Sequence, residues 1–182
     1  PLPNAVVAPD PTTTFTFRSR DGVPVHLSDV DPTLLYLRMS LFDEFTDGDD
    51  DLELFLYYQP GVCNPLDFRG TRVTESGGPT AEEEVNVFLP APGCYGALVH
   101  GFDTDEISGG PGANYILFAW GLGVNDDEGN MTASGPAFVN SGETADVIVN
   151  WSNLISDTIY LGGISHNTPQ GLAGLTIIRI RN

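Results

Sequence analysis

The chain has 182 residues and a mass of 19.5 kDa, with 7 basic side chains, 25 acidic ones and a formal charge of -18. Every basic residue is an arginine, which excludes the phosphate-binding loops and Schiff-base reactions that need a lysine amine. A charge this negative repels phosphate backbones and anionic lipids, so we expect no nucleic acid as a partner and no membrane insertion.

Short runs of alternating apolar residues recur between turns rich in glycine, proline and acidic residues, which predicts an all-β chain. The strand at 114–120 carries bulky residues on both faces, so we expect it in the middle of a sheet. The predicted strands are, in chain order, 12–18, 34–42, 52–58, 84–89, 95–100, 114–120, 130–139, 144–151, 158–165 and 175–181.

An acidic segment at 124–130 has no apolar alternation after Val124, which is typical of a hinge between domains. The chain is therefore predicted to fold in parts. These are an extended arm at 1–18, a first domain at 19–123, the hinge at 124–130 and a second domain at 131–182.

Two cysteines are enough for one disulfide and too few for a four-thiolate metal site. Cys63 lies in a loop flanked by glycine and proline, and Cys94 follows the turn PAPG. We predict that they are paired, with two reduced thiols as the alternative. A disulfide implies an exported protein, so the expected location is extracellular or at the cell surface.

Several segments of the first predicted domain resemble the bacterial pre-peptidase C-terminal domain. Residues 47–57 read DGDDDLELFLY, residues 76–85 read SGGPTAEEEV, and residues 90–95 read PAPGCY, with VHG at 99–101. In that family a strand of the DLDLYLY type, an acidic Gly/Ser turn and a PxPGxY strand build a small jelly roll. The resemblance implies a jelly-roll-like β-sandwich in this part of the chain.

The second predicted domain resembles the immunoglobulin-like module that follows such domains at the C-terminus of secreted subtilisin-like proteases. The matching segments are GNMT at 129–132, NWSNL at 150–154 and YLG at 160–162. The resemblance implies a small Ig-like β-sandwich, and for the whole chain a secreted accessory module without catalysis.

One segment is similar to a catalytic motif. Residues 75–79 read ESGGP, close to the GDSGGP nucleophile loop of chymotrypsin-like proteases, but Glu75 stands in place of the aspartate. That family draws its base from a TAAHC motif, and the sequence around His26 is unlike it. We therefore expect a turn at Ser76 and no enzymatic activity. His100 and His166 have no second histidine at zinc-ligand spacing, so both are expected to be ordinary polar residues.

Alternating aspartates precede the strand at 52–58. Asp47, Asp49 and Asp51 offer several oxygen ligands close together, which calcium prefers, although their spacing does not match an EF-hand. Calcium is therefore the one cofactor that the sequence suggests, and a solvated loop is the alternative interpretation. The acidic residues of the hinge have the same two interpretations.

Two N-glycosylation sequons are present. Asn130 begins Asn-Met-Thr and Asn150 begins Asn-Trp-Ser, each near the end of a predicted strand where a glycan can reach solvent. Both are therefore candidate modification sites.

The N-terminal arm supplies the assembly hypothesis. Four prolines in residues 1–11 exclude a central strand there, and the following Thr14, Phe15, Thr16 and Phe17 alternate as a strand does. The second domain offers about four strands where an Ig-like sandwich has seven or more, and an open edge recruits strands. Strand donation to a second copy would build a filament, whereas pairing within its own jelly roll is the alternative.

The main functional hypothesis is thus a non-enzymatic extracellular structural protein, a subunit of a filament or surface layer that polymerises with copies of itself. The first alternative is an accessory or substrate-binding C-terminal module of a secreted protease. The second is a carbohydrate-binding jelly roll, in which glycans are the partners and Tyr36, Phe55 and Tyr57 supply exposed rings.

Overall fold

A computed structural model describes residues 13–16, 25–104, 106–107, 110–136, 138–140 and 142–182. The described chain is all-β, as predicted, with antiparallel sheets and one 3₁₀ turn at Asp43–Phe45. No described segment forms a helix with the length and hydrophobicity needed to cross a bilayer. The strands are β1 (Thr13–Thr16), β2 (Val25–Val30), β3 (Leu34–Ser40), β4 (Asp51–Gln59), β5 (Thr71–Gly77), β6 (Glu84–Phe88), β7 (Gly93–Asp103), β8 (Glu106–Ile107), β9 (Gly110–Pro111), β10 (Asn114–Gly123), β11 (Met131–Ser134), β12 (Ile148–Trp151), β13 (Ile159–Thr168) and β14 (Gly171–Arg181).

The described chain divides into two compact units, whose boundary in the sequence falls between Gly121 and Leu122. The first unit contains β1 to β9 and most of β10, and the second contains β11 to β14. The boundary lies just before the acidic segment 124–130 that was predicted as a hinge.

The first unit is a jelly-roll-like sandwich of two four-stranded sheets. One sheet has the order β1-β10-β3-β6 and the other β2-β7-β4-β5. Strands that are consecutive in the sequence alternate between the two sheets, except that β4 and β5 pair with each other in the same sheet. This strand order is that of an eight-stranded jelly roll, and the short β8-β9 hairpin lies in the connection before β10.

The core of this sandwich follows the predicted alternation. On β4, Leu52, Leu54 and Leu56 are almost completely buried, while the residues between them face away from the core. Each buried leucine contributes roughly 1.5–3 kcal/mol to stability. The other strands contribute further buried residues to the same core. These are Leu37 and Met39 of β3, Leu41 after it, Val85 of β6, Tyr95, Ala97 and Val99 of β7, and Tyr115 and Leu117 of β10.

Strand β1 pairs with β10 of the same chain. The register runs from Thr13 opposite Leu117 to Thr16 opposite Asn114. The backbone groups of Thr14, Phe15 and Thr16 on this side are paired within the molecule, and donation of this strand to a second copy is not supported; Phe17 lies outside the described residues. The structure therefore agrees with the alternative in which the strand completes its own jelly roll.

The second unit contains two antiparallel ribbons, β11-β12 and β13-β14. Its small core is formed by Met131, Tyr160, Ile164 and Ile180. The Tyr160 hydroxyl also accepts a hydrogen bond of 2.7 Å from the backbone of Ile155, which ties the preceding loop to the core. Four strands are described here, fewer than the seven or more of an immunoglobulin sandwich, so the Ig-like assignment stays a prediction.

Candidate functional site

The two cysteines form the predicted disulfide. Cys94 is fully buried on β7, and Cys63 lies in the loop between β4 and β5. The backbone N–H of Cys63 also donates to the Asp29 carboxylate of β2 at 2.7 Å. The bridge and this hydrogen bond together fix the loop against the sheet, and neither cysteine is left as a free thiol.

The ESGGP segment ends β5 and forms a turn around a buried carboxylate. Glu83 is 3% exposed, and it accepts hydrogen bonds from the Ser76 hydroxyl and from the backbone N–H of Gly78. The N–H of Glu84 donates to the same Ser76 oxygen at 3.3 Å. These contacts give Ser76 a role in closing the turn, and its hydroxyl is held by a carboxylate instead of the imidazole that serine-protease triads use.

The histidines occupy three separate places. His26 of β2 lies 3.1 Å from the Tyr115 hydroxyl of β10, so this pair links the two sheets of the sandwich. Burial lowers the pKa of His26 and raises the pKa of Tyr115. His100 pairs with Glu53 at 2.9 Å, and His166 lies 2.8 Å from the Thr176 hydroxyl.

The aspartates before β4 lie in different surroundings. Asp47 accepts hydrogen bonds from the backbone N–H of Asn114 and, at 2.6 Å, from its side-chain amide, which fixes the loop to the start of β10. Asp49 lies with Asp43 and other loop residues beside a cavity of about 300 Å³, and Asp51 begins β4.

No three His, Cys, Asp or Glu side chains within the described ranges are grouped closely enough to hold a metal ion. The geometry thus gives no support to calcium at Asp47, Asp49 and Asp51, which stays a prediction from the sequence. At the predicted hinge, Asp126 and Asp127 accept hydrogen bonds from the backbone N–H groups of Gly123 and Gly129. They cap the local turns there.

The two sequons are brought together by the β11-β12 ribbon. Thr132 is opposite Asn150, and the N–H of Ser152 donates to the carbonyl of Asn130 at 2.9 Å. Asn150 is exposed, whereas Asn130 is only partly exposed. Glycosylation at either asparagine stays a prediction.

The three aromatic residues expected to bind sugars do not share a surface. Tyr36 is on β3, is only 7% exposed, and receives a hydrogen bond of 2.8 Å from Arg38. Phe55 and Tyr57 are on β4 of the other sheet, where both are partly exposed. The predicted set is therefore corrected: Tyr36 is a buried ring whose hydroxyl is hydrogen-bonded to Asn86 and Arg38, whereas the Phe55 and Tyr57 rings remain partly exposed to solvent.

The sequence did not indicate that four polar or charged side chains lie beside those two rings. Glu53, Arg72, Glu75 and His100 lie on the neighbouring positions of β4, β5 and β7. Glu53 could have been found, since it shares the odd-numbered positions of β4 with Phe55. Arg72 and Glu75 could not be placed beside the rings, because the strand that carries them was not predicted.

A comparison with curated proteins finds a partial match to pyrolysin from Pyrococcus furiosus, a subtilisin-like protease. The two sequences are 43% identical over 61 residues, which are 34% of this chain and 4% of pyrolysin. No family model matches the chain, and no solved structure gives a significant match. The match links part of the chain to a secreted protease, and the disulfide agrees with an extracellular location.

Proposed function

We propose that this chain is a non-catalytic accessory module of a secreted subtilisin-like protease, with a first unit of the pre-peptidase C-terminal type. The observation that carries the proposal is the match to pyrolysin, since 43% identity over 61 residues relates part of the chain to such an enzyme. The matched part is a small fraction of pyrolysin, so the whole enzyme's activity is not transferred to this chain.

Two features of the fold support the same role. The jelly roll contains eight strands and includes β1, so it is a closed unit that can be attached to another domain without depending on a partner strand. The serine of the ESGGP turn is hydrogen-bonded to Glu83, which gives this residue a structural use unrelated to peptide cleavage.

The proposal is tested in the culture supernatant of the source organism. A fluorophosphonate probe labels the activated serine of subtilisin-like proteases, and an antibody raised against the 182-residue chain is then used for precipitation. We expect the antibody to recover a labelled polypeptide from one portion of the supernatant and casein-cleaving activity from a second, unlabelled portion, whereas the purified chain alone takes up no label. Recovery of unlabelled material only, or labelling of Ser76 in the isolated chain, would contradict the proposal.

A further inference from the structure

The outer face of the β2-β7-β4-β5 sheet carries two neighbouring aromatic rings. Phe55 and Tyr57 are two residues apart on β4, so both lie on the face opposite the buried leucines. Phe55 is opposite Leu98 of β7, and Tyr57 is opposite Gly96 of the same strand. We use the name outer face for the surface formed by Leu27, Glu53, Phe55, Tyr57, Arg72, Glu75, Leu98 and His100.

Two pairs of polar side chains, Arg72 with Glu75 and His100 with Glu53, border the two rings. The Arg72 guanidinium lies 2.5 Å from the Glu75 carboxylate and 6.0 Å from the centre of the Phe55 ring. Two residues before Phe55 on β4, the carboxylate of Glu53 lies 2.9 Å from Nδ1 of His100. The side chains of Arg72 and Glu75 are each about half exposed, with relative accessibilities of 54% and 53%. The outer face therefore combines ring surfaces with hydrogen-bond donors and acceptors that reach solvent.

We propose that the outer face binds a neutral polysaccharide. A sugar ring has an apolar face of C–H groups and an edge of hydroxyls. Phe55 and Tyr57 can stack on the apolar face, while Arg72 donates hydrogen bonds to hydroxyl oxygens and the carboxylates of Glu53 and Glu75 accept them. A few polar groups placed around apolar contacts are the usual composition of a ligand site.

The charge of the protein selects the class of glycan. A chain with a formal charge of -18 repels uronate-rich and sulfated polysaccharides, so a neutral polymer is the occupant. A protein partner is disfavoured because glutamate is depleted at the centre of protein interfaces, whereas here Glu53 and Glu75 lie beside the Phe55 ring. The isolated chain is expected to bind glycan whether or not it belongs to a protease. Only the biological use of this binding, which is to hold such an enzyme on a polysaccharide matrix, rests on the proposed function.

The test is affinity electrophoresis of the full 182-residue chain in native gels. The gels contain galactomannan, a soluble mixed-linkage β-glucan, or alginate as the acidic polymer. We expect retardation by at least one neutral polymer and none by alginate. Tyr57→Ala should weaken that binding about tenfold, which corresponds to the loss of one ring contact.

Phe88→Ala is the matched control, since Phe88 is a 50% exposed ring on β6 of the other sheet. It should bind like the unmodified chain. Circular dichroism checks the fold of each variant, and Arg72→Ala, which keeps both rings, replaces Tyr57→Ala if the latter does not fold. Three results would overturn the proposal: no retardation by either neutral polymer, equal retardation by alginate, or full binding by a folded Tyr57→Ala or its replacement.

Discussion

Gly93 occupies the most constrained position at the start of β7. Its φ is +152°, and a Cβ added there would lie 2.7 Å from both the carbonyl oxygen of Gln59 and the ring of Tyr58. The backbone of β4 therefore approaches β7 too closely for any larger residue.

We expect Gly93→Ala to lower the free energy of unfolding by about 1–3 kcal/mol, because it combines backbone strain with a steric clash. Urea denaturation measures this change. Gly174→Ala is the control, since a Cβ at that position meets nothing within 4 Å, and it should change stability by less than about 0.5 kcal/mol. Equal effects of the two substitutions would argue against the close approach.

His26 makes stability depend on pH. Burial lowers its pKa from the ordinary value of 6.5, so the unfolded chain takes up the proton more readily than the folded one. The stability that neutral His26 provides is present above pH 6.5 and is lost as the pH falls below that value.

His26→Gln removes this titration and can still form a hydrogen bond with Tyr115. The unmodified chain should lose stability between pH 7 and pH 5 more steeply than the variant, as measured by urea denaturation at each pH. The difference between the two proteins is the informative quantity, since the carboxylates titrate in both. Parallel curves would show that burial does not shift the pKa of His26.

At the scale of elements, strands with one apolar face were predictable and strands with polar inner faces were not. The alternation of leucines over β4 predicted that strand to within one residue at each end. Strand β2 was missed because two of its inward positions are His26 and Ser28, which hide the alternation. Strand β5 was missed because it is a largely exposed edge strand, with Val73 46% exposed. Edge strands have little apolar surface to bury and so carry a weak pattern.

Side-chain placement was predictable only while a strand continued. The predicted strand at 84–89 places Leu89 on the same face as Val85 and Val87, but Leu89 is 53% exposed. The strand ends at Phe88, and Leu89 takes a φ of +49°, which ends the alternation. Tyr36 was assigned to the sugar-binding surface for a related reason: the sequence does not tell which of the two sheets a strand joins.

The disulfide is the element-scale feature with the largest expected effect on stability. It closes a sequence separation of 31 residues and fixes the loop between β4 and β5. Replacing both cysteines, as Cys63→Ser with Cys94→Ala, should lower the free energy of unfolding by about 2–4 kcal/mol. Denaturation of the oxidised and the reduced chain provides the matched comparison, and the reduced chain should resemble the double variant. A double variant as stable as the oxidised chain would contradict this estimate.

At the scale of the whole molecule, the net charge of -18 governs solution behaviour. Carboxylates that repel one another destabilise the compact state, and salt screens this repulsion as the Debye length falls from about 10 Å at 0.1 M to about 3 Å at 1 M. We therefore expect the melting temperature to rise when NaCl is increased over this range. Scanning calorimetry measures the effect, and a constant or falling melting temperature would show that repulsion is not a significant term.

Strand β1 completes the jelly roll of its own chain, so we expect the protein to remain a monomer. Light scattering coupled to size-exclusion chromatography tests this most directly, over a hundredfold range of protein concentration. We expect one species with a mass of 19.5 kDa at every concentration. A mass that increases with concentration into large polymers, and returns to that of a monomer when residues 1–16 are deleted, would contradict it and restore strand exchange between copies.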